Sequence, residues 1–159
     1  MKNDGQIGRK GNGAVTLARA TVGSELARSC GVDFHADPLV FKIVGCGIEV
    51  HSKLGPGLLE SVYERCLAHE LTMQGLRFMR QVRVPVEYKG IQLDCGYRAD
   101  FVIESRIVLE LKAIEGLLPL HQAQVLTYTK LLNLKQGLLM NFNSQKLTDG
   151  LKSVIVKPA

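Results

Sequence analysis

The stretch "RADFVIESRIVLELKA" (98–113) restricts the fold more than any other part of the chain. Val102, Ile103, Ile107, Val108 and Leu109 form apolar, β-branched-rich runs suited to buried strands. Glu104 and Ser105 interrupt them as a tight turn, which predicts two neighbouring antiparallel strands. A sheet apolar on both faces needs helices to cover it, so the flanking sequence should turn to a 3.6-residue period.

It does. From Pro38 to about Lys53, Val40, Val44 and Ile48 recur at helical spacing, with Asp37 and Pro38 placed as cap and first turn. "LGPG" (54–57) ends that helix. "LLESVYERCLAHELTMQG" predicts a second, with Leu59, Val62, Tyr63, Cys66, Leu67 and Leu71 on its apolar face and Gly75 as terminator. "FMRQVRVPVEY" then alternates like a strand, Pro85 marking an edge or irregular spot. "KG" (89–90) is a turn, and "IQLDCGYRADFVIE" and "SRIVLELKA" follow as strands. "LLPLHQAQVLTYTKLLNL" returns to helical period through Ala123, Leu126, Leu131 and Leu134. "GLLMNFN" is a strand covered on both faces, and "LKSVIV" adds a further one. The predicted order is α-α-β-β-β-α-β with a further β: an α/β domain spanning 38–159, preceded by a poorly ordered leader over 1–37.

Composition narrows the class. The 159 residues are 46% hydrophobic and 22% charged, ordinary for one globular domain. No apolar run approaches the roughly 20 residues of a membrane span, and the N-terminal stretch lacks a signal-peptide pattern. Cys30, Cys46, Cys66 and Cys95 form no CxxC pair and fit core positions in a reducing cytoplasm. The net charge of +5 permits a polyanionic partner.

Chemistry is suggested by the charged residues on those apolar strands. Residues two apart in a strand face the same side, about 6.6 Å apart, so Glu110 and Lys112 project together. Asp100, on the preceding antiparallel strand, is placed to approach Glu110. Two converging carboxylates repel unless a cation or proton intervenes. Mg²⁺ is held by one or two carboxylates and keeps several waters, and a nearby lysine adds positive charge for an attacking water or a phosphate. By itself "ELK" is an ordinary surface ion pair. The Asp on the neighbouring strand, the apolar flanks and the glutamine-bearing helix that follows favour a site. Other residues read more blandly: Arg77, Arg80 and Arg83 as a solvated strand face ahead of phosphate contacts, and Glu64 and Lys130 as solvated, while Tyr63 fits core packing, with its hydroxyl at the site's margin, and catalysis equally. "GCG" (45–47) is close helix packing and not a dinucleotide loop.

Asp100 followed by "ELK" (110–112) on a hairpin flanked by helices resembles the PD-(D/E)xK nuclease superfamily. "GLLESVY", with Gly57, Glu60 and Tyr63, is similar to the signature of its small bacterial GxxExxY proteins. "VEYKG", "HQAQVLTYTKLL" and "GLLMNFN" extend the likeness over about 41–155. Ala99 stands where the superfamily's name has proline. The resemblance implies a restriction-endonuclease-like core with a central mixed β-sheet. It further implies metal ligands Asp100, Glu110 and Glu60, a catalytic lysine Lys112, and a QxxxY pair, Gln124 and Tyr128, on one helical face, with Gln124 in the catalytic set to position the lysine or a DNA phosphate. Tyr63, His51 and His121 sit where the family has supporting residues. The implied activity is Mg²⁺- (or Mn²⁺-) dependent cleavage of DNA, ahead of RNA, by a cytoplasmic protein that pairs as a homodimer in some relatives. A non-catalytic module binding nucleic acid or protein on the same fold is the alternative.

Overall fold

The computed structural model describes residues 37–157. The leader expected over 1–37, together with Cys30, lies outside them except for Asp37. Helix α1 (Pro38–Leu54) starts as its sequence dictates. Asp37 caps it, its Oδ1 accepting the Leu39 N–H at 2.9 Å, and Pro38 occupies the first turn. Helix α2 (Glu60–Met73) ends in a left-handed Gly75, whose N–H reaches Thr72 O while the Leu76 N–H reaches Leu71 O.

Seven strands follow: β1 (Phe78–Arg83), β2 (Val86–Tyr88), β3 (Ile91–Leu93), β4 (Arg98–Ile103), β5 (Ile107–Lys112), then, after helix α3 (Pro119–Leu131), β6 (Gln136–Asn141) and β7 (Leu151–Ile155). A short 3₁₀ turn (Leu147–Gly150) precedes β7. The main sheet has the order β1-β4-β5-β6-β7. Its β5–β6 pair is parallel and the other three are antiparallel, a mixed sheet within an α/β fold.

Two expected strands are split. The chain leaves the main sheet after Arg83 and re-enters at Arg98, forming a separate β2–β3 ribbon in between. Pro85 lacks an N–H for the ladder, and Gly96 is left-handed, so neither segment continues straight through. The tight turns at Lys89–Gly90 and Glu104–Ser105 each place two consecutive residues at positive φ, the geometry of short hairpins. Glu104 and Ser105 are unusual in such a turn. Glu104 is held by Arg77, which donates its backbone N–H at 2.7 Å and its guanidinium at 2.8 and 3.1 Å.

The two-residue period of β4 and β5 sorts their side chains between layers. Phe101, Ile103, Ile107, Leu109 and Leu111 join Leu138, Met140 and Phe142 against α1 and α2. Val108 packs with Val84, Ala99 and Tyr128 on the α3 side. Some helix faces differ from expectation. On α2, Tyr63, Leu67 and Leu71 are buried as expected, with Ala68 added, whereas Leu59 and Val62 are exposed. Helix α3 buries Val125, Tyr128 and Thr129, while Ala123 is exposed. Leu120, Leu126 and Leu131 lie off the face that carries Val125 and Tyr128, so the leucine pattern does not select the buried side. Of the "GCG" glycines, Gly47 permits close packing: a Cβ there would meet Leu147 and Met140 at 2.9 Å, whereas Gly45 faces open space.

At Gly137 α3 approaches β6 closely. A Cβ there would lie 2.5 Å from both Thr129 Oγ1 and Val125 Cγ1 and 3.0 Å from Val154 Cγ2. Gly137→Ala is therefore expected to destabilise the fold by about 1–3 kcal/mol through overpacking. Urea unfolding measures this, and an unchanged midpoint would show that the α3–β6 contact is looser than described.

Candidate active site

The register between β4 and β5 runs Ile103↔Ile107, Val102↔Val108, Phe101↔Leu109, which sets Asp100 opposite Glu110 next. There, side chains take over from the backbone ladder. Asp100 Oδ2 accepts the Leu111 N–H at 2.8 Å, and Glu110 Oε2 accepts the Asp100 N–H at 3.3 Å. Each carboxylate is held by a main-chain donor of the other strand. That reciprocity fixes both head groups without long, mobile contacts.

Lys112, two residues beyond Glu110 on the same strand face, donates to Glu110 Oε1 at 3.3 Å. From α3, the Gln124 amide donates to Glu110 Oε1 at 3.4 Å and to the Tyr128 hydroxyl at 3.0 Å. Gln124 thus addresses the glutamate and not the lysine. Tyr128, one helical turn on, holds Gln124 in place. Glu110 is only 4% exposed. Burial, reinforced by the facing Asp100, pushes its carboxyl up to about 7, with Lys112 opposing. Burial also raises Asp100, against the Leu111 N–H and the Lys112 charge.

Glu60 opens α2 and is half-buried. Burial raises its pKa; the Lys112 charge lowers it, while that of Asp100 raises it. It is within electrostatic reach of the pair but makes no hydrogen bond to it. No three His, Cys, Asp or Glu side chains form a ready-made metal cluster among the described residues. The donor set still suits a hard divalent cation. All its donor groups are carboxylates, two of them meet, and the pair's own repulsion is offset by one ammonium. Mg²⁺ characteristically uses one or two protein carboxylates and completes its shell with water.

The "GLLESVY" residues have a structural logic. Gly57 has φ 102°, which disfavours any side chain. Tyr63 is fully buried and stacks on Phe142 with centroids 4.6 Å apart. Its hydroxyl donates to Gly55 O at 2.6 Å and accepts the Leu58 N–H at 3.1 Å. It pins the loop that delivers Glu60. His51 and His121 bond the backbone and not the carboxylates: His51 Nε2 bonds Ser144 O at 2.8 Å, and His121 Nδ1 accepts the Leu118 N–H at 2.9 Å at the start of α3.

Two neighbours were missed in the sequence. Gln81, in β1 at φ 50°, donates to Asp100 Oδ1 at 3.2 Å and to Glu64 Oε1 at 3.3 Å. Glu64, expected to be solvated, is largely covered and accepts two bonds from Arg80 at 2.9 and 3.0 Å. Its spacing of four from Glu60 places both acids on one face of α2, a signal that was there to read. Nothing in the sequence announces the left-handed turn of Gln81. Asn141, buried, brackets the backbone of Ile114, accepting its N–H at 3.1 Å and donating to its O at 2.8 Å. This ties down the chain just past Lys112.

In the metal-free protein these shifts have a definite sign. Between 4.5, the ordinary glutamate value, and about 7, the unfolded chain releases the Glu110 proton while the folded chain keeps it. Stability therefore falls as pH rises through that window and levels off above it. In EDTA, wild type should lose about 3 kcal/mol more than Glu110→Gln between pH 4.5 and 8. Urea unfolding at a series of pH values gives the comparison, and parallel profiles would contradict it.

The family model of the PD-(D/E)XK nuclease superfamily matches residues 37–154. No curated protein and no solved structure matches. Among the described residues, no helix is long and apolar enough to cross a membrane. With about three quarters of its sequence matched, the chain belongs to the PD-(D/E)XK nuclease superfamily.

Proposed function

We propose that the protein is a Mg²⁺- or Mn²⁺-dependent nuclease that hydrolyses phosphodiester bonds of DNA, and of RNA less readily. The observation that carries this reading is the meeting of Asp100, Glu110 and Lys112 at the open end of β4 and β5 in a member of a nuclease superfamily. Asp100 and Glu110 would hold the ion, with Glu60 as a third acid nearby. A bound divalent ion supplies Lewis acidity, making a water nucleophilic near neutral pH and offsetting charge on phosphate oxygens.

The chain's own groups do the rest. The Lys112 ammonium, beside Glu110, orients the attacking water and balances negative charge on the phosphate. Gln124 holds Glu110 Oε1 from one side, and Gln81 holds Asp100 from the other. Tyr63 acts by placing the loop ahead of Glu60. The chain is assigned to the GxxExxY group, with 38–159 as its catalytic domain and 1–37 as a leader. The free state of Cys46, Cys66 and Cys95 agrees with a cytoplasmic setting. A homodimer would let two sites reach both strands of a duplex.

Purified protein should cleave DNA with Mg²⁺ or Mn²⁺ and lose that activity in excess EDTA. Asp100→Ala and Lys112→Ala should each lower the rate by roughly a hundredfold or more. Cleavage that survives in EDTA or in both variants would defeat the mechanism. A second reading, a non-catalytic binding module, is favoured by the lack of a preassembled three-acid cluster among the described residues. Calorimetric titration with Mg²⁺ separates the two: the nuclease binds the ion and Asp100→Asn weakens it, whereas the module shows neither effect.

A further inference from the structure

The β2–β3 ribbon is an unexplained expense of apolar surface. Every residue from Glu87 to Arg98 is exposed. The ribbon's register, Val86↔Leu93, Glu87↔Gln92 and Tyr88↔Ile91, puts its apolar side chains on one face and Glu87 with Gln92 on the other. Gln92 bonds Glu87 at 3.1 Å, so the polar face is internally satisfied. The other face leaves Tyr88 and Ile91 each 60% exposed and Leu93 42% exposed. An isolated two-stranded ribbon is marginally stable, and an uncovered apolar face of this kind commonly marks a binding surface.

Where the chain re-enters the main sheet stands Tyr97, 52% exposed. Its carbonyl accepts the buried Val84 N–H at 2.9 Å, which fixes the backbone there. Its ring lies 6.1 Å, centroid to centroid, from Tyr128. Tyr128 holds Gln124, and Gln124 holds Glu110. A half-exposed aromatic ring thus stands at the rim of the carboxylate site, on a rigid base.

We propose that Tyr97, with the uncovered face of the β2–β3 ribbon, is a stacking platform for unpaired nucleobases, making single-stranded or frayed-end nucleic acid the preferred substrate. This rests on the nuclease reading above and specifies its substrate class. Aromatic rings stack on a base only when its face is free, which duplex bases do not offer. Arg77, Arg80, Arg83 and Arg106, at or beside β1 and in the β4–β5 turn, are each paired with an acid: Glu104, Glu64, Asp94 and Asp37. Lys89, 5.4 Å over the Tyr88 ring, and Arg98 have no ion pair among the described residues. They flank the platform and are placed to follow one strand's phosphates.

The test is fluorescence anisotropy of the full chain with a labelled single-stranded oligonucleotide and its blunt duplex, in Ca²⁺ to avoid turnover. Cleavage in Mg²⁺ is measured separately. Single strand should bind about tenfold more tightly than duplex. Tyr97→Leu should weaken single-strand binding roughly fivefold or more while Tyr97→Phe retains it. The double variant Tyr88→Ser/Lys89→Glu, at an exposed turn, should weaken it in the same direction whether or not Tyr97→Leu folds. Unchanged single-strand binding in folded Tyr97→Leu, a preference for duplex, or a change confined to self-association by sedimentation would overturn the proposal. If wild type cleaves but ignores these substitutions, only the platform falls; if it neither binds nor cleaves nucleic acid, the nuclease reading falls as well.

Discussion

The structure is organised around two carboxylates that face each other across an antiparallel pair just where backbone pairing gives way. Asp100 and Glu110 each accept a main-chain N–H from the opposite strand. This satisfies donors that would otherwise be stranded in a half-buried place, where an unmade hydrogen bond costs about 1–3 kcal/mol. The same arrangement keeps two like charges close in a low-dielectric setting. Burial first, and their mutual repulsion second, raise Glu110 to about 7.

The remaining architecture holds that juxtaposition in place. Leu109 and Leu111 anchor β5 in the core below α1 and α2, so Glu110 between them and Lys112 beyond take the opposite face. Helix α3 covers that side with Gln124 and Tyr128, while α2 brings Glu60 and Glu64 to the margin. The loop ahead of α2 is not free to wander, because the Tyr63 hydroxyl binds it twice. A rigid, apolar scaffold lets a few polar groups keep their spacing without support from solvent.

Much of this was legible in the sequence, for a definite reason. The period of two in 98–112 determines which residues share a face, and a tight turn at Glu104–Ser105 determines the register, so Asp100 opposite Glu110 follows from counting. The Asp37 cap and the Gly75 terminator were legible from residue type, and membership of the superfamily from the likeness of Asp100, "ELK" and "GLLESVY" to its motifs. The ribbon was not, because Pro85 and Gly96 interrupt strands without saying where the chain goes next. The buried side of α3 was obscured because its leucines do not fall on the buried face of Val125 and Tyr128. Gln81 escaped notice because its role comes from a backbone conformation, and the covering of Glu64 because it depends on Arg80 from a distant strand.

The central claim is that Asp100 and Glu110 together form a divalent-cation site, and a crystal soaked in Mn²⁺ addresses it most directly. The account predicts one anomalous-scattering peak at coordination distance, about 2.1 Å, from an oxygen of each carboxylate, lost in Asp100→Asn. A fully soaked crystal with no peak between these two side chains, or with the ion bound elsewhere, would contradict it.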